Sequence, residues 1–166
     1  MYFLDLVEYL GVNAKNKTMN SKFAKLNEGV KKERIKEIEE IEEIHKIKIP
    51  SDYVNFLAIT DGVSFKNSYS ISVDKKTPIV EIDDLLSLEW FINEIEYDKE
   101  DDYGLLYNDR FYKIASTLSQ DRVLIGFGSD VLNQIFLFDG DEEKLIRISD
   151  SLDEFISDYL ITNPDY

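Results

Sequence analysis

The sequence predicts an α+β domain, an antiparallel sheet covered by helices and entered through a helical extension. Apolar residues recur at helical spacing through 31–45, 51–60 and 85–95. Four β-type runs then follow in quick succession, at 111–116, 123–127, 134–138 and 145–148. The connections between them are too short for βαβ crossovers, so neighbouring strands are antiparallel. Helices first, then a meander, then a closing helix is the α+β order.

Taken from the start, Leu4, Leu6, Val7 and Leu10 suggest a short amphipathic helix ended by Gly11, followed by a polar stretch over 12–21. Gly29 reads as a break. The expected division is therefore a helical N-terminal extension over 1–30 and a compact domain over 31–166. Ile35, Ile38, Ile41 and Ile44 recur every third residue. A helix turns about 100° per residue, so such a stripe drifts around the axis, and the helix must touch neighbours on more than one side or bend. At His45 the pattern changes to the alternation of 46–49, which ends the helix and starts a short extended segment before Pro50. Ser51 looks like an N-cap, with Tyr53, Phe56 and Leu57 on one face and Asp61-Gly62 as the stop.

Strand-like runs come at 69–73 and 79–82. Asp83 is placed to cap a helix carrying Leu85, Leu88, Ile92 and Ile95, with Trp90 and Phe91 alongside, and an acidic, tyrosine-bearing loop is expected over 97–109. Turn signals separate the four later strands: Ser119-Gln120-Asp121, Gly128-Ser129-Asp130 and Asp139-Gly140-Asp141. Ser151-Leu152-Asp153-Glu154 is a capping box opening a helix near 151–161, with Leu152, Phe155, Ile156, Tyr159 and Leu160 inward. Tyr53, Phe56, Leu57, Phe155 and Ile156 are expected to be buried together.

Composition narrows the function. The 166 residues carry 19 basic against 34 acidic side chains, a formal charge of −15. The imbalance lies in the second part, since residues 1–50 hold ten basic and nine acidic groups. From Glu81 to Asp102 there are ten carboxylates and one lysine. A field of that sign repels nucleic acid and anionic lipid and attracts basic partners. With no cysteine there is no disulfide, thiolate zinc site or cysteine nucleophile. With one histidine, no site can need two imidazoles. No apolar run reaches the roughly 18 residues that span a bilayer, and the N-terminus has no basic leader or small-residue cleavage site. The expectation is an acidic cytoplasmic protein, monomeric or weakly dimeric, without cofactor, nucleic acid or membrane.

Three pieces in this order resemble the SUKH superfamily, the domain of fungal cell-wall-synthesis regulators and many bacterial immunity proteins. They are the acidic helix followed by Ile49-Pro50-Ser51-Asp52-Tyr53, Phe56-Leu57 and Asp61-Gly62; the meander containing Val123-Leu124-Ile125 and Ile135-Phe136-Leu137-Phe138-Asp139; and the closing Ile148-Ser149-Asp150-Ser151-Leu152-Asp153-Glu154-Phe155-Ile156. The resemblance covers about 31–160. Val63 stands where the family commonly has a second small residue, and the acidic insertion near 97–110 is longer than its pattern. The resemblance implies binding and not catalysis: bacterial members typically neutralise a cognate toxin, often a nuclease, and fungal members act as hubs in signalling assemblies. It brings no catalytic residues.

The chemistry-bearing residues agree with that. His45 at a helix C-terminus is favourable with the dipole, and a serine-based triad would need it, as no other imidazole exists. Gly126-Phe127-Gly128 lacks the third glycine and following helix of a nucleotide loop and reads as a hairpin turn. Asp139-Gly140-Asp141-Glu142-Glu143 lacks calcium-loop spacing. Lys31, Lys32, Arg34 and Lys36, interleaved with Glu33 and Glu37, read as a solvated ion-paired face.

The sharpest feature is Glu94, Glu96, Asp98, Glu100 and Asp102, with Asp101, Tyr97 and Tyr103 among them. An extended backbone would align these alternate carboxylates along one side, and tyrosines supply the amphipathic area that interfaces favour. The expected site is therefore a partner-binding surface of Glu94, Glu96, Tyr97, Asp98, Glu100, Asp101, Asp102 and Tyr103, imitating a phosphate backbone to a basic toxin cleft. An intracellular scaffold module and a carboxylate-metal hydrolase are the alternatives.

Overall fold

The computed structural model describes residues 28–60, 62–74, 79–100 and 110–162. Helix α1 (Glu28–His45) runs into α2 (Ser51–Thr60), then strands β1 (Val63–Ile71) and β2 (Val80–Leu85). Helix α3 (Leu88–Glu100) precedes β3 (Phe111–Thr117), β4 (Arg122–Gly126), β5 (Ile135–Asp139) and β6 (Lys144–Ser149). A short helix α4 (Leu152–Glu154) continues as one π-helical turn, Phe155–Tyr159, into β7 (Leu160–Thr162). The expected extension lies outside the described residues except for Glu28 to Val30, which open α1; Gly29 is therefore inside a helix and is no break.

The seven strands form one antiparallel sheet in the order β6-β5-β4-β3-β2-β1-β7. The α+β reading holds, with one strand more than the periodicity shows. The helix expected to 161 ends at Tyr159, and Leu160 turns inward from β7, which pairs with β1 through Ile71↔Leu160. That return explains the shape of the sheet. Six strand spacings of about 4.8 Å would separate flat edges by about 29 Å. The eight residues of α4 and its π turn advance only about 12 Å. The sheet must curl until its edges approach the same short segment, and Ser72 N–H indeed donates to Tyr159 C=O at 2.9 Å.

The concave face holds the main core. Tyr53, Phe91 and Phe155 are fully buried there, and Phe56, Leu57 and Ile156 join them as expected. Tyr53 meets Phe91 with ring centroids 5.0 Å apart, and its hydroxyl donates to Leu86 C=O at 2.8 Å. Strand alternation turns Leu124 to the other face, where it packs with Phe111, Val131 and Phe136 in a second cluster.

Several local expectations are corrected. The every-third-residue stripe of α1 is not buried along its whole length: Ile38 is buried, Ile35 and Ile41 flank it, and Ile44 has rotated out to 73% exposure. The 46–49 alternation forms no strand; Lys46 turns with φ 53° and Ile47 N–H closes back on Glu42 C=O. Asp83 lies within β2, and it is Ser87 whose Oγ accepts from Trp90 N–H, at 3.4 Å, where α3 begins. The acidic stretch is helical to Glu100, so 97–100 are not loop, and the rest of the loop expected over 97–109 lies outside the described residues.

Candidate protein-binding surface

Helix α3 exists because Leu88, Phe91 and Ile95 recur on one face and bury against the sheet. Phe91 meets Tyr112 of β3 edge-on, with centroids 5.4 Å apart. Tyr112 in turn stacks on Phe127 at 4.1 Å, and burial raises its phenol pKa above the ordinary value. This aromatic stack fixes the rotation of α3, and with it which side chains reach solvent. Glu89, Trp90, Asn93, Glu96 and Tyr97 are exposed.

The helical state changes the geometry of the expected acidic row. Residues two apart on a helix are turned by about 200°, so Glu94 and Glu96 leave opposite flanks and do not share a side. Glu94 is half-buried and accepts from Lys113 Nζ of β3 at 2.9 Å. Glu96 Oε1 lies 3.2 Å from His45 Nδ1 at the end of α1, a pair that is ionic when the imidazole is protonated. These carboxylates thus tie α3 down on both sides as well as charging it. Tyr97, 63% exposed, stands on the crest between them. Asp98 and Glu100 belong to the last turn of α3, while Asp101, Asp102 and Tyr103 lie outside the described residues.

Trp90, grouped by its sequence context with the apolar positions of the helix, stands instead on the outside. It is 62% exposed and lies seven residues, two turns, before Tyr97 on the same crest. The signal was available: position 90 falls off the 88/91/95 stripe.

The other chemistry-bearing motifs resolve into structure. In the 126–128 hairpin, a Cβ on Gly126 would come within 2.0 Å of Val131 C=O, so the glycine is needed for close backbone packing. Asp139 Oδ1 accepts from Asp141 N–H and Glu142 N–H, closing a tight turn. Arg34 pairs with Glu37 at 2.9 Å on the solvated face of α1. Asp52 sits where α2 meets α4; burial first, then the neighbouring Asp153, raise its pKa, while a hydrogen bond from Leu152 N–H opposes them. Among the described residues no three acids or histidines are grouped to hold a metal ion, and no helix is long and apolar enough to cross a membrane.

The fold is that of a small α+β domain, one antiparallel sheet covered by helices. Residues 34–158 match the SMI1 / KNR4 family (SUKH-1) model, and the chain belongs to that family. A search of curated proteins gave no match.

Proposed function

We propose that this protein is a non-enzymatic binding protein, an immunity protein that neutralises a cognate toxin, a nuclease, by covering its basic surface. The observation carrying this reading is the outer crest of α3, where exposed Trp90 and Tyr97 stand in a helix with five acids and one lysine, in a family that includes toxin-immunity proteins. A catalytic cleft of a nuclease is lined with cations that hold phosphate; an acidic surface competes for the same cations, and aromatic rings add area that excludes water. The contact surface extends from Glu94, Glu96 and Tyr97 through Asp98 and Glu100 to Asp101, Asp102 and Tyr103. The partner is bound in the cytoplasm by a monomer or weak homodimer.

The test is growth rescue. A toxin domain encoded beside this gene is expressed in bacteria with and without the chain. Survival only with the chain supports the reading. If no toxin is encoded beside the gene, or if cells die equally with and without the chain, the reading fails and a regulatory scaffold module replaces it.

A further inference from the structure

A tryptophan 62% exposed on a rigid helix leaves a large apolar ring in water, next in sequence to a fully buried Phe91 that fixes its direction. The exposed Glu89 is adjacent and Glu94, already paired with Lys113, is one turn further on, while Asn93 and Tyr97 continue the crest. The helix that carries the indole holds five acids against one lysine, so a group laid on the ring sits in a negative field. Negative charge around an exposed π face selects a cation. Among biological cations, a planar guanidinium stacks on indole and is more easily stripped of water than an ammonium.

We propose that Trp90 is the anchor of the binding surface and receives an arginine side chain of the partner, with Tyr97 taking a second cation about 10 Å further along the helix. This rests on the partner being basic, and it goes further by naming the side chain captured and the residue that captures it. The contact surface then begins a full turn before Glu94. Arginine is preferred to lysine because the ring, and not charge alone, discriminates.

The chain reports on this itself, because Trp90 is its single tryptophan. The full-length protein is titrated with fluorescein-labelled octa-arginine and octa-lysine, reading peptide anisotropy in one experiment and Trp90 emission with unlabelled peptide in another. Octa-arginine should bind with strong salt dependence, change the emission, and bind at least fivefold more tightly than octa-lysine. Trp90→Ala and Trp90→Leu should each weaken octa-arginine at least fivefold and close the gap to octa-lysine, with melting temperatures near wild type. Leu118→Ala, at an exposed apolar position outside α3, should bind as wild type. If both Trp90 variants bind octa-arginine as tightly as wild type, or emission is unchanged at saturation, the anchor is overturned while salt-dependent binding leaves the acidic surface standing. If the wild-type chain fails to bind octa-arginine at low salt, the anchor and the acidic surface fall together.

Discussion

Glu42 and Ile49 are joined by a 2.6 Å hydrogen bond from the Ile49 backbone N–H to Glu42 Oε1, across the turn that links α1 to α2. Glu42 is buried, and its second oxygen accepts from Lys48 Nζ, also at 2.6 Å. A buried carboxylate in an acidic helix is explained by rotation: Glu42 stands one turn after Ile38 on the inward face. It holds the turn that carries Pro50, Ser51 and Tyr53 into the core.

Removing that acceptor leaves a buried N–H without its partner. Glu42→Ala should cost about 2–3 kcal/mol, as for a lost hydrogen bond to a charged group. Lys48→Met should cost under about 1 kcal/mol, because its ammonium is largely exposed and screened. Urea denaturation of the variants compares them. Equal losses would mean that the ion pair, and not the backbone bond, carries the stabilisation.

Gly62 is held at φ +86°, and a Cβ there would lie 2.5 Å from Ser87 N and 2.9 Å from Leu85 C=O. Both neighbours are backbone, between the end of β2 and the start of α3, so neither can swing aside. Gly62→Ala should destabilise by about 2–5 kcal/mol, combining a left-handed backbone with overpacking. A melt within a degree or two of wild type would contradict the close approach.

Asp52 makes the pH prediction. Its carboxyl is raised by burial and then by Asp153, so the native state holds the proton more tightly than the unfolded chain. The stability this group contributes is therefore full below the ordinary aspartate value and is lost as pH rises through the raised native one. Carbon-13 NMR titration should place Asp52 above an ordinary aspartate, and Asp153→Asn should lower it part of the way. An Asp52 titrating below the ordinary value would overturn this.

Much of the fold was legible. Strands β3 to β6 are visible because alternation and turn residues agree at each step. Strand β7 is not, because Leu160 continues the helical spacing of Leu152 and Ile156, and its pairing with β1 is a tertiary event. Asp83 was misplaced because a capping residue outside context outweighed the Val80/Ile82 alternation that runs through it. The acidic row was read as extended because carboxylates at every second position mimic a strand. Yet 94–100 contains no glycine or proline to stop a helix, and glutamate and lysine favour one. The capture of Glu94 by Lys113 and of Glu96 by His45 joins elements far apart in sequence, which no local pattern reveals.

In the proposed function, the acidic end of α3 and the residues after it capture a basic partner. The direct measurement is stopped-flow association of the purified toxin domain with wild type and with the triple variant Glu100→Lys, Asp101→Lys, Asp102→Lys, at several salt concentrations. Attraction between the two surfaces raises the encounter rate and is screened over about 8 Å at physiological ionic strength. The triple variant should associate about 10- to 100-fold more slowly at low salt, with a flattened salt dependence. Its melting temperature should be equal or slightly higher, because self-repulsion in a chain of charge −15 is relieved. Association as fast as wild type at low salt would place the contact surface elsewhere on the protein.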